Sequence, residues 1–336
     1  MNKINWGVLT TAKIAREKVI PAMQKSQYAH VLGIASRSID QAQSVAMNLG
    51  IKKVFGSYEY LLNDPEINAV YIPLPNSMHV EWAIKCLQAG KHVLCEKPIG
   101  LSSAEARKLA DESLNYPNLK VMEAFMYRLH PQWKQAKSLV EEGFIGELKV
   151  IQSFFSYYNI DAANIRNKPE LGGGALMDVG CYCVSLSRFI FGDEPIKALG
   201  ITDCDPTMKT DRITSGILQF PKGTSHFTCS TQLMDYQRVN ILGTKGRIEI
   251  VIPFNAPSNE ITKIWLHTTS ESKEIMFNIV DQYTTQVDLF SKAILEDTAL
   301  PVSLEDTVQN MQVIEAIFES AEQSVWKNIP ANSYQK

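Results

Sequence analysis

The first third of the chain alternates short β-rich runs with amphipathic helical patterns, and no other feature constrains the fold as much. The runs fall at residues 4–10, 31–36, 53–55, 69–72, 92–95 and 120–124. Strands separated by helices cannot pair as hairpins, so they must lie parallel, joined by right-handed crossovers. Helix punctuation agrees. Gly50 follows the pattern of residues 44–47 and Gly90 that of residues 83–87, both suited to the left-handed residue that closes a helix. Ser102 or Ser103 can cap a helix over residues 104–113. Six strands in that rhythm predict a dinucleotide-binding, doubly wound parallel sheet.

Beyond residue 124 the rhythm changes. A helix over 132–142 ends at Gly143, a long strand runs through 148–155, and Gly172-Gly173-Gly174 precedes a helical stretch to Phe191. Strands then follow at 197–203, 213–220, 225–232, 238–242, 247–252 and 263–268 with no helix between them. Strands in succession joined by turns predict a large, open and mostly antiparallel sheet. Two helical patterns close the chain, 281–296 and 304–326, the second capped by Ser303 with Asp306 in its first turn. The expected class is therefore α/β plus α+β, with a nucleotide domain over 1–124 and a second domain over 125–336.

Charge and cysteine usage narrow the class further. Among 336 residues, 33 Lys+Arg stand against 36 Asp+Glu, leaving no positive excess to neutralise a nucleic-acid backbone. The six cysteines are scattered and never spaced Cys-x-x-Cys, as expected of reduced thiols in a cytoplasmic protein. The start has no signal-peptide pattern, and no apolar stretch reads as a membrane span of about 18–20 residues. His92, His130, His226 and His267 lack metal-ligand spacing, so no metal is expected.

The first strand-to-helix turn reads Gly7-Val8-Leu9-Thr10-Thr11-Ala12-Lys13-Ile14-Ala15. In a dinucleotide fingerprint, glycines let the backbone approach a pyrophosphate that rests on the helix N-terminus. Only Gly7 remains here, with Thr10 and Ala12 where two more glycines would stand; Thr10, Thr11, Ala12, Lys13 and Ile14 are the candidate cradle. The second strand ends at Ser36-Arg37, 29 residues beyond Gly7. An NAD site places a carboxylate there, whereas a hydroxyl and a guanidinium suit the 2′-phosphate of NADP. Asp40 keeps NAD as the alternative, and a solvated Arg37 before a helix capped by Ser38 is the reading without a ligand. Strand four exits through Leu74, Asn76 and His79, and strand five through Glu96-Lys97-Pro98, both at the strand ends where open parallel sheets bind ligands. A Glu-Lys pair straight after apolar Val93-Leu94-Cys95 is costly unless it faces a polar cleft.

These segments, with Trp6-Gly7, Pro73-x-Pro75-Asn76-x-x-His79, Glu123-Ala124-Phe125-Met126-Tyr127-Arg128-x-His130-Pro131 and Gly172-Gly173-Gly174-Ala175-Leu176-Met177-Asp178-Val179-Gly180-x-Tyr182, resemble the glucose-fructose oxidoreductase / inositol dehydrogenase (Gfo/Idh/MocA) group over essentially the whole chain. The Tyr after Asp-x-Gly resembles the subgroup of NADP-dependent xylose dehydrogenase, dihydrodiol dehydrogenase and glucose-fructose oxidoreductase. The resemblance implies a Rossmann domain binding NADP, with NAD second, and hydride exchange with the secondary alcohol or carbonyl of a sugar or cyclic diol. It implies that Lys97, Asp178 and Tyr182 meet above the nicotinamide, Tyr182 as proton donor and acceptor, with Arg128 a contact to substrate or cofactor. It also implies a homodimer or homotetramer through the C-terminal sheet, to which the aromatic cluster Phe154, Phe155, Tyr157 and Tyr158 would belong. An NAD-dependent inositol-type dehydrogenase, or a sensor or repressor that binds the cofactor without catalysis, are the alternatives of the same fold.

Overall fold

The computed structural model describes residues 3–330. Among the described residues two compact units emerge, one ending at Met126 and taking back Asp281–Val308, the other formed by Tyr127–Val280 with residues 309–330.

The first unit holds β1 (Ile4–Leu9), α1 (Ile20–Lys25), β2 (Ala29–Ala35), α2 (Ile39–Leu49), β3 (Lys53–Phe55), α3 (Tyr58–Leu62), β4 (Ala69–Ile72), α4 (His79–Gln88), β5 (His92–Cys95), α5 (Ser103–Ser113) and β6 (Val121–Glu123). The six strands pair in parallel in the order β3-β2-β1-β4-β5-β6. The order reverses between β1 and β4, the switch point at which such sheets open a crevice for ligands. Ser102 caps α5 by accepting the Glu105 N–H, and Gly50 closes α2 in the left-handed conformation at φ 66°.

The expected boundary at 124 needs one correction. Right-handed crossovers put the helices of the two sheet halves on opposite faces, leaving β4 to β6 without crossover helices on the α1 side. Residues 281–308 return to fill that gap. Val287, Phe290 and Val302 join Trp6, Tyr71, Leu94 and Met122 in one buried cluster. The Trp6 ring lies 5.4 Å from that of Phe290, and its Nε1–H donates to Ser291 Oγ over 3.1 Å. Arg107 Nη2 donates to both carboxylate oxygens of Glu305, at 2.9 and 2.8 Å. Side chains such as Phe290 are each worth about 1.5–3 kcal/mol when buried, so the return is a structural part of this unit.

The second unit comprises α6 (Pro131–Glu141), β7 (Leu148–Tyr158), α7 (Cys181–Phe191), β8 (Lys197–Cys204), β9 (Asp211–Phe220), β10 (Gly223–Ser230), β11 (Gln232–Gly243), β12 (Gly246–Ile250), β13 (Thr262–Thr268) and β14 (Ser272–Phe277). The chain then runs through α8 (Gln282–Leu295) of the first unit, along α9 (Leu304–Gln323) and into β15 (Lys327–Asn328). Nine strands form one sheet in the order β14-β13-β12-β11-β7-β10-β9-β8-β15. It is antiparallel except where β7 and β10 run parallel. Along β7, Ile151, Ser153 and Phe155 are buried, while Gln152 and Tyr158 on the opposite parity are exposed. The stretch Pro169–Phe191 is long and apolar enough to cross a membrane, contrary to the expectation from sequence, but it is mostly buried as the core helix of this unit.

Candidate active site

The turn after β1 offers a cradle for an anion. Thr10 adopts φ 80°, the left-handed conformation that a fingerprint glycine would otherwise supply, and donates its N–H to the Ala35 carbonyl over 2.8 Å. A β-branched residue there is strained, a condition that concentrates at ligand sites. Gly7 serves packing, since a Cβ at that position would stand 2.5 Å from Leu61 Cδ2. Thr11 and Ala12 are half-exposed, Lys13 is exposed and pairs with Glu17 at 3.9 Å, and Ile14 packs against the core. The helical segment opens with no side-chain cap and passes directly into a π-turn over Ala15–Val19. Its first amides, without intrahelical partners, suit a pyrophosphate. The residues present therefore fit a dinucleotide.

At the end of β2, Ser36 is buried and its Oγ accepts the Ser38 N–H over 3.2 Å, while Ser38 caps α2 through the Gln41 N–H at 3.4 Å. Arg37 is exposed and makes no ion pair among the described residues. Its guanidinium is thus available beside the cradle's strand.

Lys97 leaves the carboxyl end of β5 half-buried, followed by a cis bond to Pro98. Hydrogen bonds pin the segment around it. The Glu96 N–H donates to the Ile72 carbonyl (3.1 Å), the Ile99 N–H to Glu123 Oε1 (2.9 Å) and the Leu101 N–H to Glu105 Oε2 (2.8 Å). Glu96 Oε1 accepts the Tyr71 hydroxyl at 2.6 Å; burial and the Glu96 charge push the phenols of Tyr71 and Tyr283 upward. Half-buried Asn76 opens a short turn after buried Leu74.

His79 requires a correction. It was a candidate cofactor contact, but its ring is fully buried and both nitrogens are taken, Nδ1 standing 2.8 Å from the Pro98 carbonyl and Nε2 2.8 Å from that of Leu74. Two carbonyls call for two donors. Burial, aided by the Lys97 charge, pulls the imidazole down to about 4, so near neutrality its single N–H donates to one of the two carbonyls at a time.

In the second unit, Asp178 lies in a π-turn, Leu176–Gly180, that runs into α7. The expected α-helical spacing from Asp178 to Tyr182 is therefore widened, an insertion of the kind found at functional sites. Asp178 Oδ2 accepts the Tyr157 hydroxyl at 2.6 Å and the Arg166 Nε–H at 3.0 Å. Tyr182 is 6% exposed, and its ring lies 5.3–5.6 Å from those of Tyr127, Phe155 and Phe254. Arg128, expected at substrate or cofactor, is buried and donates to Ser185 Oγ (3.0 Å) and the Ser185 carbonyl (3.1 Å), bracing α7 three residues beyond Tyr182. The glycine run has its own cause. Gly174 sits at φ 119°, and a Cβ there would stand 1.9 Å from Asp211 Oδ1. Asp211 Oδ2 in turn accepts the Leu176 N–H and the Thr214 hydroxyl, each at 2.7 Å.

Arg166 and Asp211 escaped sequence reading, while Glu123 entered only as part of a motif and Tyr157 only as an aromatic of the sheet. Tyr157 had a signal, since it shares the inward parity of Phe155 on β7; Arg166, in a loop, had none. Among the described residues no cluster of three or more metal-ligating side chains occurs.

A family profile described as "Oxidoreductase family, NAD-binding Rossmann fold" matches residues 4–122, and one described as "GFO/IDH/MocA C-terminal domain" matches residues 133–249. A D-xylose 1-dehydrogenase (NADP(+)) 2 of Haloferax volcanii is 37% identical over 94% of this chain and 97% of its own length. A trans-1,2-dihydrobenzene-1,2-diol dehydrogenase of Xenopus tropicalis is 32% identical over 76% of this chain and 78% of its own. Among solved structures, KijD10, a 3-ketoreductase from Actinomadura kijaniata in complex with NADP and TDP-benzene, superposes with a TM-score of 0.89 at 26% identity, covering 95% of this chain and 98% of the other.

Proposed function

The chain is an oxidoreductase of the Gfo/Idh/MocA family with an NAD(P)-binding Rossmann domain, and from that premise we propose that it uses NADP to interconvert a secondary alcohol and carbonyl of a sugar or cyclic diol. The carrying observation is the agreement between Ser36-Arg37 at the end of β2, where a 2′-phosphate would lie, and the relative named as an NADP-dependent xylose dehydrogenase. Thr10 to Ile14 would hold the pyrophosphate, Arg37 the 2′-phosphate, and Leu74, Asn76 and Glu96 the nicotinamide half.

When bound, the nicotinamide supplies or accepts the hydride. The chain's residues do the rest. In reduction the Tyr182 phenol gives its proton to the substrate oxygen as hydride arrives at carbon; in oxidation the phenolate takes that proton back. The Lys97 ammonium holds the same oxygen and favours the phenolate. Asp178, held by Tyr157 and Arg166, orients the reacting groups.

The outward face of the nine-stranded sheet, with Ile201, Tyr158 and Tyr236 exposed, supports self-association into a homodimer or homotetramer. Six free thiols fit a reducing compartment, the cytoplasm. The test of function is NADPH-dependent turnover on a panel of aldoses, ketosugars and diols for wild type, Lys97→Met and Tyr182→Phe. Loss of turnover by about 10²-fold or more in both variants is expected; undiminished turnover in both overturns the assignment.

A further inference from the structure

One peptide group beside Lys97 is gripped at both ends. The carbonyl of Pro98 faces His79 Nδ1 at 2.8 Å, and the N–H of the same peptide, on Ile99, donates to Glu123 Oε1 at 2.9 Å. The two side chains come from different elements, the first residue of α4 and the last of β6. They are 0% and 1% exposed, so neither reaches a ligand directly. Burying an imidazole and a carboxyl group to hold one turn is costly in an apolar interior. His79 Nε2 also meets the Leu74 carbonyl at 2.8 Å, which ties the Lys97 turn to the strand-four exit.

We propose that His79 and Glu123 are positioning residues for Lys97, fixing the plane of the Pro98–Ile99 peptide so that the lysine is aimed at the reacting oxygen. The proposal rests on the role assigned to Lys97 above. Placement within a fraction of an ångström matters in such a site, since a 1 Å error can cost about 10²-fold in rate.

The two ends of the clamp can be cut separately. His79→Gln extends an amide toward the Leu74 carbonyl and gives up the Nδ1 position; His79→Asn keeps an N–H at the Nδ1 position for Pro98. Glu123→Met removes the acceptor for Ile99; Glu123→Gln keeps an oxygen there. The readouts are kcat, substrate KM, the NADP dissociation constant and Tm. The expected result is a fall in kcat of about 10- to 100-fold for His79→Gln and Glu123→Met at an unchanged NADP dissociation constant, with most of it recovered in His79→Asn and Glu123→Gln. Equal kcat within each pair overturns the proposal, as does a loss confined to Tm and cofactor binding. Should one variant fail to fold, the other pair decides. Lys97→Met, measured alongside, separates the two layers. If it is inactive while His79→Gln and Glu123→Met keep full kcat, only the clamp fails; if it is fully active, the role of Lys97 fails and the clamp with it.

Discussion

The hydroxyl of Tyr157 donates to Asp178 Oδ2 over 2.6 Å, joining the end of a β-strand to a π-turn that opens the helix of Tyr182. Burial first, and the Asp178 charge second, push the Tyr157 phenol above its ordinary range, so it remains a donor at every working pH. A hydrogen bond to a charged partner is worth about 1.5–3 kcal/mol. Tyr157→Phe should therefore lower kcat by about tenfold or more, with a smaller effect from Arg166→Ala, whose side chain is 42% exposed and screened by solvent. Steady-state kinetics on the best substrate of the panel checks the order of the two.

Exposed and without an ion pair among the described residues, Arg37 stands apart from the core. Arg37→Ala should weaken NADPH by about tenfold or more while leaving NADH nearly untouched, because a charge-assisted contact to the 2′-phosphate is lost in one case only. Fluorescence titration with both cofactors measures this; equal losses would remove the 2′-phosphate role.

Thr10 bears a conformation made for glycine. Relieving a left-handed β-branched residue returns about 1–2 kcal/mol, and glycine's unfolded-state entropy takes back about 0.5–1 kcal/mol. Thr10→Gly should hold or raise Tm and keep NADP affinity, as read by calorimetry and titration. A drop of several degrees would mean that the threonine side chain itself is needed.

Burial raises the folded-state carboxyl of Asp211 from 3.8 to about 6, against the hydrogen bonds from Thr214 and Leu176. A carboxyl with a raised folded pKa binds more protons folded than unfolded between those values, so its contribution to stability is present below about pH 4 and lost as pH rises through 6. A shift of about two units corresponds to about 3 kcal/mol at most. Asp211→Asn, which has no proton to lose, should flatten the difference in urea midpoint between pH 4.5 and 7.5. An unchanged slope would acquit Asp211.

Of the six free cysteines, Cys204 is exposed and the other five are buried. Burial pushes the Cys183 thiol up to about 12 and that of Cys229 well above its usual value. A thiol reagent should modify one group in the native protein and all six in denaturant, with Cys204→Ser removing the native reaction. Rapid labelling of Cys181 or Cys183 would speak for a redox role instead.

The candidate cofactor-binding segments of the first unit are legible in the sequence because they are local. The glycine turn, Ser36-Arg37 and Glu96-Lys97-Pro98 each lie within a few residues of a strand end, and period-two and period-3.6 patterns locate strand ends. Asp178 and Tyr182 were legible by motif, although the π-turn between them was not, since one inserted residue leaves the apolar pattern nearly intact.

What the sequence determined by itself was the alternation that forces a parallel sheet, the change of rhythm near residue 124, and the residue types at each strand exit. Tertiary structure alone decided that 281–308 returns to cover the sheet, that His79 faces inward to two carbonyls, and that Tyr157 and Arg166 converge on Asp178. The reason is separation along the chain. Trp6 meets Ser291 across 285 positions and Ile99 meets Glu123 across 24, and no local periodicity records which distant surface a side chain will face once the layers close.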